Sequence, residues 1–515
     1  VSSRLDRALN ALPHRYPGPG GAVAILRDGE LSDWRVWGWA NAERRIPFTR
    51  KTLFRFCSIT KQFTCGLILD AFPDPSVLDD DVRSRLPLLE PLPPNTRQLC
   101  HNQSGVRDYW ALAMLQGAHP EQSFGGDDAA RIIGGTRTLH FAPGTRFSYS
   151  NANFVMLSDI LQQRSGFGFA ELLRTRIFDK VGMETALLAA DTRAMPDGTE
   201  GYDGTLAGGF RVATNRIFWT GDAGLGGSLD DMIAWERHID VTRDDPDALY
   251  PRLSAPVTFN DGRPAAYGFG LNRRVVLGRQ ITGHGGALRG WSSYRLHSRA
   301  DRVSVIVAFN HMADARGAAM DLFAAAVDED QPARPPVGAT PDWLGAYIEP
   351  ETQLAARVDL ATDGVRLRFG QTPEVLDYRD SGAGRDNEVR LRADGERLWM
   401  DRPADNQTSP LDPCVAGPTR GLAGRYRCEE LDAEITVVGD EDVSYGGLSG
   451  FLGNGRMELL EPIGADVVAL PCPRALDHTP PGDWTLVVQR NDSGHVAGLT
   501  AGCWLARRLP YRRIE

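Results

Sequence analysis

The sequence predicts an α/β sheet domain with an inserted helical subdomain, followed by two small antiparallel β-barrels. Three observations predict it. Strand-like patterns stand at both ends of the first 330 residues, with helical patterns between them. A proline-rich stretch, EDQPARPPVGATPD at 329–342, then breaks the chain. Beyond it helical periodicity is almost lost and one short motif recurs. At 515 residues the chain is too long for one hydrophobic core, so several domains are expected.

The start, VSSRLDRALNAL, reads as an amphipathic helix with Leu5, Ala8, Leu9 and Leu12 on one face. Residues 22–26 and 34–39 read as strands joined by a turn at Asp28-Gly29. Helices are predicted near 58–71, 153–164, 169–175 and 228–239. Ser228 with Asp231 reads as a variant capping box for the last of these. The stretch 291–311 reads as two strands turning at Ser298–Asp301, and a helix near 316–326 closes a first domain spanning 1–330. A linker over 331–341 follows. Trp343-Leu344-Gly345-Ala346-Tyr347 is then matched by Leu422-Ala423-Gly424-Arg425-Tyr426, with Gly345 and Gly424 79 residues apart. This repeat predicts barrels over 342–418 and 419–515, with one larger sandwich as the alternative.

Bulk properties exclude several functions. A net charge of -10 makes the chain a poor partner for nucleic acid. No run of 18 apolar residues exists, so no membrane helix is expected. The chain as given opens without the basic, apolar and small-residue segments of a leader. Its seven cysteines are odd in number and follow no framework, which predicts free thiols in a reducing cytoplasm. The ten histidines show no metal-ligand spacing, and Gly224-Leu225-Gly226-Gly227-Ser228 lacks the Lys of a phosphate loop. Neither metal nor cofactor is expected.

Three short motifs carry chemistry. Ser58-Ile59-Thr60-Lys61 follows an apolar run and opens a helical stretch, so spacing i, i+3 sets Ser58 and Lys61 on one face. If burial lowers the Lys61 pKa, its free amine can take the Ser58 proton, and the helix start can supply an oxyanion N–H. Alone, the pattern usually means a capped helix with a solvated lysine. Tyr149-Ser150-Asn151 follows a Pro143-Gly144 turn and precedes a helix. Tyr149 could relay a proton to a leaving amine and Asn151 could bind a substrate carbonyl; the plainer reading is a packed loop tyrosine and a helix cap. In Gly283-His284-Gly285-Gly286-Ala287, glycines allow close backbone approach. Ala287 N–H could complete an oxyanion hole, and His284 could orient substrate or join the proton network.

Together and in this order, Ser-x-x-Lys, Tyr-x-Asn and His-x-Gly resemble the three active-site elements of the penicillin-recognising serine hydrolases. The likeness is greatest to the branch holding class C β-lactamases, D,D-peptidases, esterases and D-aminopeptidases. His101-Asn102-Gln103-Ser104-Gly105 and the run from Phe141 to Met183 also resemble that branch. The resemblance covers about residues 1–327 and implies a β-lactamase/transpeptidase-like fold: an antiparallel sheet flanked by helices, with a helical subdomain and the serine between them. It implies that Ser58 is acylated, that Lys61 and Tyr149 shuttle protons, and that the Ser58 and Ala287 N–H groups form the oxyanion hole.

Departures from the pattern point to substrate. His284 replaces the commoner Lys, which helps bind a substrate carboxylate. Cys57 replaces a small residue, which predicts sensitivity to thiol reagents. The added C-terminal barrels are similar to those of bacterial D-stereospecific aminopeptidases, which must hold an ammonium. The loop 474–484, stiffened by Pro480 and Pro481, is expected to reach the active site and offer Asp477 to that amine. The resulting expectation is a serine aminopeptidase releasing D-alanine-like residues from small peptides or amides. A D,D-carboxypeptidase or β-lactamase-like esterase is the alternative, and a non-catalytic scaffold is the reading from another class. The barrels are candidates for a homodimer contact.

Overall fold

The computed structural model describes residues 3–330, 340–379, 382–385, 389–395, 397–477 and 479–515. Most of the expected linker, residues 331–339, lies outside the described residues, as does His478 in the 474–484 loop.

The first unit contains α1 (Arg4–Arg15), β1 (Gly20–Arg27), β2 (Glu30–Asn41), β3 (Phe54–Cys57), α2 (Thr60–Ala71), α3 (Tyr109–Leu115) and α4 (Asn151–Ser165). It continues with β4 (Leu225–Gly227), α5 (Leu229–Val241), β5 (Leu271–Val276), β6 (Arg279–Leu288), β7 (Trp291–Ser298), β8 (Val303–Phe309) and α6 (Ala315–Ala326). The main sheet runs Tyr267–Gly268, β5, β6, β7, β8, β1, β2, Ile46–Pro47, antiparallel throughout. Its centre pairs the two chain ends of the domain, with Val23 opposite Val307 and Ile25 opposite Val305.

Central strands covered on both faces should read as near-continuous apolar runs, as 22–26 of β1 and 305–309 of β8 do. Alternate side chains enter different cores, as the pleat requires. Val23, Ile25, Val305 and Val307 pack with Leu5, Leu9 and Leu12 of α1 and with α6. Ala22, Ala24, Ile306 and Ala308 join the helical side, where α2 and α4 lie. The Asp28-Gly29 hairpin turn has both residues in the left-handed region, φ 52° and 78°. Ser228 accepts from Asp231 N–H while Asp231 accepts back, so the capping box predicted for α5 is formed.

The C-terminal region folds as two sheets and not as one sandwich. Eight strands from Gly345–Glu349 to Gln407–Pro413 close into a barrel, sealed by Tyr347 opposite Pro413. Strands from Gly424–Cys428 to Ala506–Arg513 form a ten-stranded, barrel-like sheet that stays open between Gly453–Asn454 and Glu461–Gly464, a half-barrel. The repeat seen in sequence has a shared physical basis. Gly345 and Gly424 both take φ 153°, and each following tyrosine donates its hydroxyl to a carbonyl four residues earlier. Those bonds are Tyr347 to Trp343 O at 2.7 Å and Tyr426 to Leu422 O at 2.5 Å.

The C-terminal units brace two segments of the first unit, the closed barrel at 145–147 and the half-barrel at 107–108. Asp405 O accepts from Phe147 N–H at 3.2 Å, and Asn406 Nδ2 donates to Thr145 O at 3.0 Å. From the half-barrel, Leu505 O accepts from Asp108 N–H at 3.1 Å, and Arg507 O accepts from Arg107 Nε at 3.0 Å. Among the described residues no helix is long and apolar enough to cross a membrane.

Candidate active site

Strand β3 ends in a bulge, where the register against β4 shifts between Arg55 and Cys57. Cys57 takes φ 49°, a backbone state that costs on the order of 1–3 kcal/mol for a residue with a side chain. The sharp turn leaves half-buried Ser58 just ahead of α2. Lys61 N–H donates to Ser58 O at 3.1 Å, the i, i+3 turn anticipated from spacing. That turn brings Lys61 Nζ to Ser58 Oγ at 3.0 Å.

Lys61 is fully enclosed. Its ammonium donates to Ser58 Oγ, to Asn151 Oδ1 at 2.8 Å and to Asp222 O at 2.6 Å, which uses all three N–H bonds. Burial lowers its pKa to about 8, against the pull of Asp222 and Asp108. A free amine is therefore accessible near neutral pH.

Tyr149 packs its ring 4.8 Å from Lys61 Nζ, and its phenol meets the Ser58 hydroxyl. Burial raises its pKa above the ordinary phenol value, so Tyr149 rests as the neutral hydroxyl. Asn151 opens α4, with its amide held from both ends: Oδ1 takes the Lys61 proton donor and Nδ2 donates to Asp108 Oδ2 at 2.8 Å.

The His-x-Gly motif lies within β6, which crosses β3 at Gly286. A Cβ on Gly286 would stand 2.0 Å from Phe56 O, so only glycine lets the strand approach. Ser293 Oγ, opposite Gly286 on β7, donates to the same carbonyl at 3.3 Å. Ala287 is the next residue, half-buried and set beside the nucleophile segment. Gly286→Ala is expected to push β6 off β3 and lower kcat by about a hundredfold, the scale of one lost oxyanion donor. Steady-state kinetics at unchanged circular dichroism would check it.

His284 is 4% exposed. Its Nδ1–H donates to Gly285 O at 2.5 Å, so Nε2 accepts from Tyr267 O–H at 3.1 Å. Burial and nearby Lys61 drive its pKa down to about 3, and the ring is neutral. Position 284 therefore carries no positive charge of its own.

Asp477 of the 474–484 loop lies near enough to Lys61 and Tyr149 to act on both electrostatically. Asp477 Oδ1 is buried and has no hydrogen-bond partner. Burial first, then the negative charge of Asp108, raise its pKa to about 7, while Arg289 and the Thr479 N–H act against the rise. Asp483, the other carboxylate of the loop, points away and pairs with Arg357 of the closed barrel. Hydrogen bonds and ring contacts thus bring Ser58, Lys61, Tyr149, Asn151 and His284 together, and the charge of Asp477 reaches Lys61 and Tyr149.

Sequence reasoning missed Asp108, Asp222, Tyr267 and Arg289. Asp108 caps α3 through Trp110 N–H at 2.8 Å and fixes both ends of the Asn151 contact through its other oxygen. Asp222 accepts from Tyr109 O–H at 2.7 Å behind Lys61. An aspartate before a helix is an ordinary cap signal, so nothing in the one-dimensional pattern marked Asp108. The 101–105 stretch serves as a brace: Asn102 Oδ1 accepts from Ser150 N–H at 3.1 Å and Asn153 Nδ2 at 3.0 Å.

The expected thiol sensitivity of Cys57 needs correcting. The residue is 0% exposed, and burial pushes its thiol up to about 12. Iodoacetamide is expected to leave Cys57 untouched in the folded protein and to label it on unfolding, as peptide mass spectrometry can read. All seven cysteines are unpaired.

Comparison with known proteins gives the family. A β-lactamase family model matches residues 5–329, and a model for D-aminopeptidase domain B matches residues 336–512. The chain is 56% identical to a D-aminopeptidase of Gluconobacter oxydans (strain 621H), covering 100% of this chain and 99% of that protein. It is 45% identical to a D-aminopeptidase of Cereibacter sphaeroides (strain KD131 / KCTC 12085), covering 99% of each. Its fold is similar to that of the D-amino acid amidase from Ochrobactrum anthropi SV3, with a TM-score of 0.52 at 19% identity over 63% of this chain and 98% of that one. With both halves matched and the whole length aligned, the chain belongs to the D-aminopeptidase family of β-lactamase-like serine hydrolases.

Proposed function

We propose that the chain releases N-terminal D-amino acids, of D-alanine size, from peptides and amides through an acyl-enzyme on Ser58. The observation that carries the reading is a charge arrangement. His284 is neutral where a carboxylate-binding relative would hold a cation, and a buried Asp477 carboxylate oxygen without a hydrogen-bond partner lies within electrostatic reach of Lys61. That pairing suits a free ammonium and repels a free carboxylate.

The neutral Lys61 amine takes the Ser58 proton as Oγ attacks the scissile carbonyl. The oxyanion sits between the Ser58 and Ala287 N–H groups. Lys61 passes its proton through Tyr149 to the departing nitrogen, and the amine leaves as the ester forms. Water then attacks the ester, giving its proton to the same pair, and Ser58 leaves as the restored hydroxyl. Asn151 offers its remaining N–H to the substrate, and Asp477 pairs the substrate ammonium.

For organisation we propose units at 1–330, 342–418 and 419–515, a division the strand ranges support. We propose a cytoplasmic location on the strength of the unpaired cysteines. A homodimer through the barrel faces is the expected assembly, checked by sedimentation.

The test compares initial hydrolysis of D-alanine p-nitroanilide, its L-enantiomer and its N-acetyl derivative, beside Ser58→Ala. Cleavage of the D free-amine compound alone, lost in the variant, is expected. Preference for the N-acetyl compound, or turnover of D-Ala-D-Ala peptides or esters instead, would replace it with the carboxypeptidase or esterase reading.

A further inference from the structure

Arg289 sits at the turn between β6 and β7, two residues beyond Ala287, and is 4% exposed. Its backbone is fixed from behind. Asn215 Nδ2 donates to Arg289 O at 2.9 Å. Gly290, at φ 88°, lies so close to Gly201 that a Cβ would stand 2.7 Å from its carbonyl carbon. The guanidinium then crosses to the half-barrel loop. Nη2 donates to Ala475 O at 3.0 Å and approaches Asp477 O at 3.5 Å. Nη1 meets Glu121 Oε1 at 3.2 Å, and the same oxygen holds Arg474 Nη2 at 3.0 Å.

The choice of acceptors matters. An arginine this close to a loop aspartate would ordinarily bind its carboxylate in a bidentate pair. Here Arg289 grips the backbone of the loop and leaves Asp477 Oδ1 without a partner. Glu121 takes the remaining charge of Arg289 and anchors Arg474 at the start of the loop. The arrangement fixes where the loop lies and keeps its carboxylate open.

We infer that Arg289 is a positioning residue for substrate recognition: it couples the oxyanion strand to the 474–484 loop and presents Asp477 to the cleft without neutralising it. The inference rests on the proposed pairing of Asp477 with the substrate amine. Arg289 does not touch the reacting atoms, so its loss should act on binding before it acts on chemistry.

The test uses the full chain with Arg289→Met, Arg289→Lys and Asp477→Asn, together with the double variant R289M/D477N. R289M is expected to raise KM for D-alanine p-nitroanilide about tenfold with kcat within about threefold. R289K, which can still reach one carbonyl, should recover part of that loss. In the D477N background, R289M should add little further loss, because both act through one contact. A second readout is independent of activity: trypsin should cut after Arg474 several times faster in R289M, since Ala475 O has lost its anchor. Unchanged KM with unchanged cutting would overturn the clamp. So would equal losses from R289M in both backgrounds. Wild-type kinetics for D477N would instead overturn the amine-pairing reading, and faster cutting in R289M would then show the clamp holding the loop for another purpose than Asp477.

Discussion

Replacing Lys61 by arginine is expected to lower kcat by about a thousandfold or more while leaving the protein folded. The substitution keeps a cation beside Ser58 but removes the only state that can accept its proton, because a guanidinium does not deprotonate near neutral pH. In the wild type, burial holds Lys61 at about 8, so roughly a tenth of molecules carry the free amine at pH 7. Tyr149 offers no substitute base, since burial shifts it the opposite way. The check is a stopped-flow burst of p-nitroaniline in K61R, with thermal melts alongside. A variant within tenfold of wild type would mean that Lys61 acts only as a fixed charge and that the base is elsewhere. The sign of the pH dependence follows from the same shift: the acylation rate should climb as pH rises through about 8, where the amine becomes free.

How much of this was legible beforehand depended on the range of the interactions. The apolar runs of β1 and β8, the left-handed Asp28-Gly29 turn and the Ser228–Asp231 cap are local, and each was readable from neighbouring residues. The Ser58–Lys61 contact is also local, three residues along a turn. The L-x-G-x-Y repeat was readable because each copy closes on itself, from the tyrosine hydroxyl to a carbonyl four residues back. It did not reveal that the second sheet stays open, because closure depends on strand pairing across the whole unit. Asp108 and Asp222 were invisible for another reason. Their roles arise from Lys61 and Asn151, 47 or more positions and 43 or more positions away respectively, and neither aspartate stands in a distinctive local pattern. Arg289 joins a strand turn to a loop 186 residues later, a contact that no periodicity encodes.

Asp477→Asn is expected to cost a free-amine substrate about a hundredfold or more in kcat/KM, the scale of a buried charge pair stripped of one partner. The N-acetyl substrate, which carries no ammonium, should lose little. The pH profile separates this from general damage. Burial, with Asp108 and Asp222 behind it, sets the Asp477 pKa at about 7 against Arg289 and the Thr479 N–H. Two groups must therefore lose a proton before the free enzyme is competent: Asp477 at about 7 and Lys61 at about 8. Below pH 7 the logarithm of kcat/KM should rise with a slope near two in the wild type and near one in D477N. Equal slopes would remove Asp477 from substrate binding. Stability should move the other way. The folded pKa is raised above the ordinary 3.8, so the stabilising contribution is complete below that value and is lost as pH rises through about 7. An amide avoids the loss. D477N should be more stable than wild type at pH 8, by up to about 4 kcal/mol for three pKa units, and match it at pH 4, as thermal melts at the two pH values would read. A carboxylate that destabilises the empty enzyme at working pH and is relieved by an ammonium is the behaviour of a binding group, and the two melts measure that cost directly.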